Sequence, residues 1–153
     1  MAKAKATWIG PGYRLTGEAN NGPAIIMDGV RPPNGTHSGP SPMELVLMGV
    51  AGCSGMDVIS ILNKKRQPFT GMQVNVTAEQ ADTHPMIYTH IHLEYVLYGQ
   101  GVSGEAVERA IELSEEKYCS VMAMLRPTVK ITHSYRVVED QPLPNMPGGN
   151  AGE

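Results

Sequence analysis

The chain is poor in several residue types that would otherwise dominate its structure. It has only two cysteines, one phenylalanine and one tryptophan among 153 residues. Two cysteines alone supply too few ligands for a zinc site, and they lack the C-x2-C spacing typical of such sites. Because there are ten methionines, we expect a core filled more by flexible thioethers than by aromatic rings.

The chain also lacks an excess of positive charge and a long apolar run. Its net charge of −3 argues against a general nucleic-acid-binding surface. The longest charge-free apolar run, Leu45 to Met56, is shorter than the roughly 20 residues that span a bilayer. No apolar segment typical of a signal peptide is found near the N-terminus. We therefore expect a cytoplasmic protein with no nucleic-acid or membrane partner, and no motif implies a cofactor.

The apolar periodicity predicts an α+β fold with the element order β-β-β-α-β-β-α-β. A single domain is predicted over residues 1–140, followed by a flexible Pro- and Gly-rich tail at 141–153. Asn20 to Gly22 has the composition of a hairpin turn. Strands are predicted at 5–9, 13–19, 24–28, 71–79, 86–98 and 128–138, and helices from Ser41 to about Leu62 and from Ser103 to about Leu125.

The first predicted helix has an unusual composition. Ser41 and Glu44 form a capping-box pattern around a proline at the first helical position. The segment that follows is apolar on every side, which is typical of a central, buried helix. Gly49, Gly52 and Gly55 recur at every third position, although each glycine costs a helix about 1 kcal/mol. This cost suggests that another backbone approaches the helix along the glycine stripe.

The two cysteines lie in the two helical patterns, with Cys53 in the first and Cys119 in the second. Free cysteine is among the most buried residue types, so both thiols could be inert core residues. In a reducing compartment, however, a cysteine pair is more often catalytic than structural. Asp57 follows Cys53 by four residues on the same helix face, where we expect it to form a hydrogen bond. The residues alone leave the two interpretations of the cysteines open.

Two separate motifs resemble a known family. The segment Gly39 to Leu45 leads into Ala51-Gly52-Cys53, and Tyr118-Cys119-Ser120-Val121 surrounds the second thiol. These motifs resemble the OsmC/Ohr family of osmotically inducible and organic-hydroperoxide-resistance proteins, over roughly residues 5–138. The sequence Pro-Ser-Pro-Met-Glu-Leu resembles the YhfA-like branch of this family.

The resemblance implies a fold and a chemistry. It implies antiparallel sheets around two central cysteine-bearing helices, in an intertwined homodimer with its sites at the subunit interface. It further implies a thiol-dependent peroxidase in which Cys53 reduces an organic hydroperoxide and Cys119 closes a disulfide. A dithiol reductant would then restore the two thiols.

The family also places an arginine and a glutamate beside the reactive thiol. Glu44 matches the glutamate with a displacement of one residue, or about 100° around a helix, and capping is its alternative role. Arg14, on a predicted strand, and Arg31, in the loop before the first helix, are the candidate arginines. Both could instead be solvated surface charges. Ser120 stands where peroxidase members often have proline.

Other interpretations follow from the same residues. His90 and His92 share one face of a predicted strand and, with His84, could bind a metal, although such a pair is more often simply exposed. The displacement of Glu44 favours a non-enzymatic dimer that binds an apolar or thiol-reactive small molecule at the subunit interface. A third alternative is a structural dimer with inert thiols.

Overall fold

The structure is a computed structural model that describes residues 1–139 and divides into two compact units. The first unit ends at Met48 and the second begins at Gly49, so the boundary falls within a helix. The single domain expected over 1–140 stays a prediction. The flexible tail expected at 141–153 lies outside the described residues.

The first unit contains a three-stranded antiparallel sheet with the strand order β1-β2-β3. Ala4 pairs with Ala19, and Leu15 pairs with Met27. Gly22, in the turn between the last two strands, has a φ of +86°, a conformation that glycine adopts without steric cost. The predicted hairpin is therefore confirmed. The strands are β1 (Ala4–Trp8), β2 (Leu15–Ala19) and β3 (Ile25–Met27).

The first helix, α1, runs from Pro42 to Lys64 and begins with the predicted capping box. The backbone N–H of Glu44 donates to Ser41 Oγ at 3.2 Å, and the N–H of Ser41 donates to Glu44 Oε2 at 2.7 Å. Two of the N–H groups that a helix start leaves unpaired are thereby satisfied.

Burial of α1 differs from the expectation. Its buried residues follow a spacing of about four and form one face, and Met56 on another face is 72% exposed. The expectation of burial on all sides is wrong for the single chain. By length and composition α1 could cross a membrane, but a core helix of a soluble fold passes the same test. The buried residues are Val50, Ser54, Gly55, Val58 and Leu62.

The glycine stripe of α1 contacts side chains rather than a backbone. A Cβ at Gly55 would lie 3.3 Å from Met72 Cε and 3.5 Å from Val74 Cγ2. At Gly49 and Gly52, a Cβ would meet no atom of the described part of the second unit within 4 Å. The close backbone approach expected along this stripe is therefore not found within that unit.

The second unit has a mixed three-stranded sheet with the order β4-β5-β6. Strands β4 and β5 are antiparallel, but β5 and β6 are parallel. The expectation of antiparallel sheets is thus wrong for the second pair, because the helical segment between β5 and β6 carries the chain back to the other end of the sheet. The strands are β4 (Gly71–Gln80), β5 (Tyr88–Tyr98) and β6 (Lys130–Val138).

One face of this sheet forms the core of the second unit. The alternation predicted for residues 86–98 is confirmed only in part. Residues 91, 93, 95 and 97 are fully buried, but Ile87, expected on the same face, is 46% exposed, and Tyr88, Val96 and Tyr98 on the opposite face are buried. Gly55 of α1 lies against Met72 and Val74, so the helix covers this face. These buried residues of β5 are Ile91, Leu93, Tyr95 and Leu97.

The second predicted helix is interrupted. It consists of α2 (Gly104–Leu113), a π-helical turn (Ser114–Tyr118) and α3 (Ser120–Leu125). Ser103 caps α2 by accepting the N–H of Ala106 at 3.2 Å. The expectation of a continuous cysteine-bearing second helix is corrected. Cys119 lies at the junction before α3, with the extended backbone angles φ −72° and ψ 101°.

Candidate active site

The two thiols of the chain lie next to each other. Cys53 is half-buried on α1, whereas Cys119 is 3% exposed. Their sulfur atoms and a carboxylate oxygen of Asp57 all lie within 4.8 Å of one another. Both cysteines are free thiols. Two helical segments that are distant in sequence therefore bring together a thiol pair and one carboxylate.

Backbone contacts on both sides hold Cys119 in place. Its N–H donates to the carbonyl of Ser114 at 2.8 Å and closes the π-helical turn, five residues back. Its Sγ accepts the N–H of Met122 at 3.5 Å and so caps α3. Turns of this wide type are rare and are frequent at functional sites.

The environment of Cys119 favours its neutral thiol form. Burial raises the pKa of Cys119 to about 11, and the hydrogen bond and charge of Cys53 add to this increase, while the N–H of Met122 opposes it. Cys119 is therefore a protonated S–H group at neutral pH. The two thiols differ in exposure, so they are not chemically equivalent.

A chain of buried hydroxyl groups supports Asp57. Ser114 Oγ lies 2.9 Å from Asp57 Oδ2 and 3.1 Å from Ser54 Oγ, which is hydrogen-bonded to the Tyr95 hydroxyl. Ser114 Oγ is thus placed to donate to both Asp57 and Ser54. Burial raises the pKa of Tyr95, so its hydroxyl stays protonated within this chain of hydroxyls.

Sequence reasoning predicted the hydrogen bond of Asp57 but missed this chain of hydroxyls. Ser54 and Ser114 are both fully buried, and Ser114 stands at a core position of the helical pattern that runs to Leu125. A serine at such a position is a signal, since a buried hydroxyl needs a partner.

Arg14 is held within the first unit. Its Nε donates to Ser38 Oγ at 2.9 Å, and its Nη2 donates to Thr36 Oγ1 at 3.1 Å. Both hydroxyls in turn donate to Asp28 Oδ2, at 2.8 Å and 2.6 Å. Arg14 is half-buried, and these hydrogen bonds fix the orientation of its guanidinium against the loop that precedes α1.

The other two residues of the expected site, Arg31 and Glu44, are both exposed. Arg31 uses its carbonyl to accept the N–H of Gly35 at 2.9 Å. The carboxylate of Glu44 accepts the N–H of Ser41 within the cap. The pKa of Glu44 is lowered, because its carboxylate accepts hydrogen bonds from the backbone N–H and from the hydroxyl of Ser41. Within residues 1–139, Glu44 forms no ion pair with Arg14 or Arg31.

The histidine pair of β5 is engaged by its neighbouring strand. His90 Nε2 and His92 Nδ1 lie 2.8 Å and 2.9 Å from Thr132 Oγ1, and His92 Nε2 lies 2.9 Å from Ser134 Oγ. In the described chain, the one group of three His, Cys, Asp or Glu residues at metal-ligand spacing is the set with Cys53, Asp57 and Cys119. The histidines therefore form a polar surface on the outer face of the sheet.

Comparison with known proteins decides the family. The family model described as OsmC-like protein matches residues 35–134, a range that includes both cysteines. Protein YhfA of Escherichia coli (strain K12) is 45% identical over 136 residues, which cover 89% of this chain and 98% of that protein. The chain belongs to the OsmC-like family. Its predicted resemblance to this family, and to the YhfA-like branch within it, is confirmed.

Solved structures support the OsmC-like fold. A hypothetical protein from Aquifex aeolicus VF5 is 33% identical, with a TM-score of 0.75 over 91% of this chain and 98% of that one. An organic hydroperoxide resistance protein OsmC from Legionella pneumophila, also described as a predicted redox protein, is 17% identical. It has a TM-score of 0.67 over 88% of this chain and 96% of that one. The mixed α+β fold with two sheets is thus shared with OsmC-like proteins.

Proposed function

We propose that the protein is a thiol-dependent peroxidase that reduces organic hydroperoxides through Cys53 and Cys119. The observation that carries the proposal is the pair of sulfur atoms within 4.8 Å, one half-buried and the other buried. Its family includes a Legionella pneumophila protein that is described as an organic hydroperoxide resistance protein. The half-buried Cys53 is the more accessible of the two thiols and is the one that a substrate can reach.

The proposed reaction has two chemical steps. The thiolate of Cys53 attacks the terminal peroxide oxygen, the O–O bond breaks, and the alkoxide takes up a proton to leave as an alcohol. Cys53 becomes a sulfenic acid. Cys119 then attacks this sulfur, its proton leaves with the hydroxyl group as water, and a disulfide forms. A dithiol reductant supplies the two electrons that restore both thiols.

The surroundings of Cys53 favour an alkyl substrate. Met56, which lies three residues further along α1, is 72% exposed within the single chain. In a dimer with its site at the subunit interface, this apolar side chain would line the site and contact the hydrocarbon part of an alkyl hydroperoxide. Hydrogen peroxide has no such part, so we infer a preference for organic hydroperoxides.

The proposal includes partners and a location. A second copy of the chain would cover the exposed apolar side chains of α1, and a cytoplasmic location would keep the thiols reduced between turnovers. The substrate is an organic hydroperoxide and the reductant is a dithiol.

The first test follows the fate of the two thiols. About one equivalent of an alkyl hydroperoxide is expected to consume both thiols and give an intramolecular Cys53–Cys119 disulfide. In Cys119→Ser, the reaction should stop at a sulfenic acid on Cys53, which mass spectrometry after trapping detects. Cys53→Ser is the matched control, since it should leave Cys119 unoxidised.

Unreactive thiols in the folded, reduced protein would contradict the peroxidase. The alternative function, a non-enzymatic dimer that binds an apolar or thiol-reactive molecule, would then be favoured. One observation already fits this alternative, because the carboxylate of Glu44 closes the helix cap.

The second test concerns the arginine. We expect Arg14→Gln to slow the reaction of Cys53 with the hydroperoxide by about tenfold, or about 1.4 kcal/mol, and Arg31→Gln to leave it unchanged. Arg14 is held by two hydrogen bonds, and a fixed guanidinium favours a thiolate more effectively than a mobile one. The measurement is the rate of thiol loss under excess peroxide.

A control separates the charge of Arg14 from its structural role. Thr36→Val removes one hydrogen bond to Arg14 but keeps the charge, so it should slow the reaction less than Arg14→Gln does. If Arg31→Gln alone slows the reaction, the choice of Arg14 is wrong.

A further inference from the structure

The three side chains at the thiol pair form a compact set of metal ligands. Cys53 Sγ, Cys119 Sγ and one Asp57 oxygen lie within 4.8 Å of one another. Zinc bonds to sulfur at about 2.3 Å and to carboxylate oxygen at about 2.0–2.2 Å. Two atoms bound to one ion are then about 3.5–4 Å apart, so small side-chain movements suffice to bring all three onto a single ion.

The type of these ligands indicates which ion fits. Thiolates select zinc and other soft or borderline ions, whereas magnesium and calcium prefer a shell made entirely of oxygen. Two sulfurs and one oxygen leave the fourth position of a tetrahedral zinc ion for water or another ligand.

The ligands are also supported by their neighbours. Asp57 Oδ2 accepts from Ser114 Oγ at 2.9 Å, and Ser114 is linked through Ser54 to Tyr95. Cys119 Sγ is oriented by the N–H of Met122. Metal sites in proteins commonly have such outer contacts, which orient the ligands and tune their basicity.

We propose that the reduced protein binds one zinc ion through Cys53, Asp57 and Cys119. Binding replaces the thiol protons by metal–sulfur bonds and releases those protons to solvent. This site goes beyond the proposed peroxidase function, but it uses the same thiols. Bound zinc would therefore protect them from peroxide, and zinc and hydroperoxide would compete for the reduced protein.

The test uses the full chain, reduced and freed of metal, titrated with Zn²⁺ against a chromophoric chelator. One equivalent is expected to bind per chain. Co²⁺ serves as a spectroscopic probe, because bound thiolates give an intense near-ultraviolet charge-transfer absorption. Mg²⁺ should not compete for the site.

Variants identify the ligands. Asp57→Asn keeps the shape of the side chain but lacks its charge, and we expect it to weaken zinc binding about tenfold or more. Cys53→Ser and Cys119→Ser should each lose part of the cobalt–thiolate absorption. Asp82→Asn is the matched control, since Asp82 is an exposed carboxylate outside the cluster, and it should bind zinc like the wild type.

Two results would overturn the zinc site. One is the absence of thiolate absorption when Co²⁺ is added to the folded, reduced wild-type protein. The other is an unchanged zinc affinity in Asp57→Asn, which would remove the carboxylate from the ligand set. The reaction of the metal-free protein with hydroperoxide is measured separately. A protein that binds zinc but does not react with peroxide contradicts only the proposed function.

Discussion

At the residue scale, His133 is held between two carboxylates. Its Nδ1 lies 2.9 Å from Glu115 Oε1, and its Nε2 lies 3.1 Å from Glu108 Oε1. Both ring nitrogens can donate only when the imidazole is protonated. Burial lowers the pKa of His133, but the hydrogen bonds and charges of Glu108 and Glu115 outweigh it, and the net effect raises the pKa above its ordinary value.

This shift predicts a pH-dependent stability. A histidine whose pKa is raised by folding contributes stability that is fully present below its unfolded pKa and is lost as the pH rises through its folded pKa. His133→Gln should therefore lower the free energy of unfolding more at about pH 6 than at about pH 8. Urea denaturation at the two pH values measures the difference.

His84→Gln is the control for this prediction, since His84 is exposed and its replacement should change stability little at either pH. If His133→Gln lowers the free energy of unfolding equally at both pH values, the cationic form of His133 contributes nothing to stability. The side chain would then contribute through packing alone.

Some residue-scale features cannot be predicted from a single sequence. Asp28 is 2% exposed and accepts hydrogen bonds from Gly29, Thr36 and Ser38. Side-chain hydrogen bonds from Thr36 and Ser38 lower its pKa. The sequence predicted a loop before the first helix, but not that this loop folds around one buried carboxylate. A loop has no periodicity that would indicate which of its polar groups point inward.

At the scale of elements, the sequence predicts best where a local rule decides. The capping box of α1 is confirmed, and the alternation of β5 holds from His90 to Tyr95, because each depends on side chains within a few residues of one another. The parallel pairing of β5 and β6 depends instead on the path of the whole helical segment between them. The two strand patterns are compatible with either direction.

The interruption of the second helix at Cys119 could not be predicted from the sequence for a related reason. Ser114, Tyr118 and Met122 continue a four-residue spacing through the π-helical turn, so the pattern reads as one helix. The turn is closed by the N–H of Cys119 and the carbonyl of Ser114, which leave no signal in the pattern of apolar residues. The cysteine motif therefore predicted the neighbouring thiols through family resemblance, whereas periodicity placed Cys119 inside a helix.

At the scale of the whole molecule, α1 has more apolar surface than the described residues of its own chain cover. Met48, Met56 and Ile59 are 59%, 72% and 38% exposed. Burying such side chains is favourable by about 25 cal/mol per Å² of apolar surface, and contiguous exposed apolar patches mark interaction sites. Since the family resemblance implies a homodimer, we expect a second copy to cover this helix.

Sedimentation equilibrium at micromolar concentration should therefore show a dimer. Met56→Glu should shift it toward monomer, because a carboxylate cannot be buried in an apolar interface without a partner. Thr83→Glu adds the same charge at an exposed position in the loop between β4 and β5 and should leave the dimer intact. A wild-type protein that is folded and monomeric under these conditions would contradict the prediction.

Gly52→Ala tests whether the glycine stripe of α1 lies in the contact between the two subunits. A Cβ at Gly52 meets no atom of the described second unit within 4 Å. Alanine favours a helix by about 1 kcal/mol over glycine, so an isolated chain should become more stable. If a second copy packs closely on the glycine stripe, however, the added methyl group must push that copy away from α1. We expect weaker dimerisation in Gly52→Ala. Equal or tighter association would show that the glycines of α1 do not serve the contact between subunits.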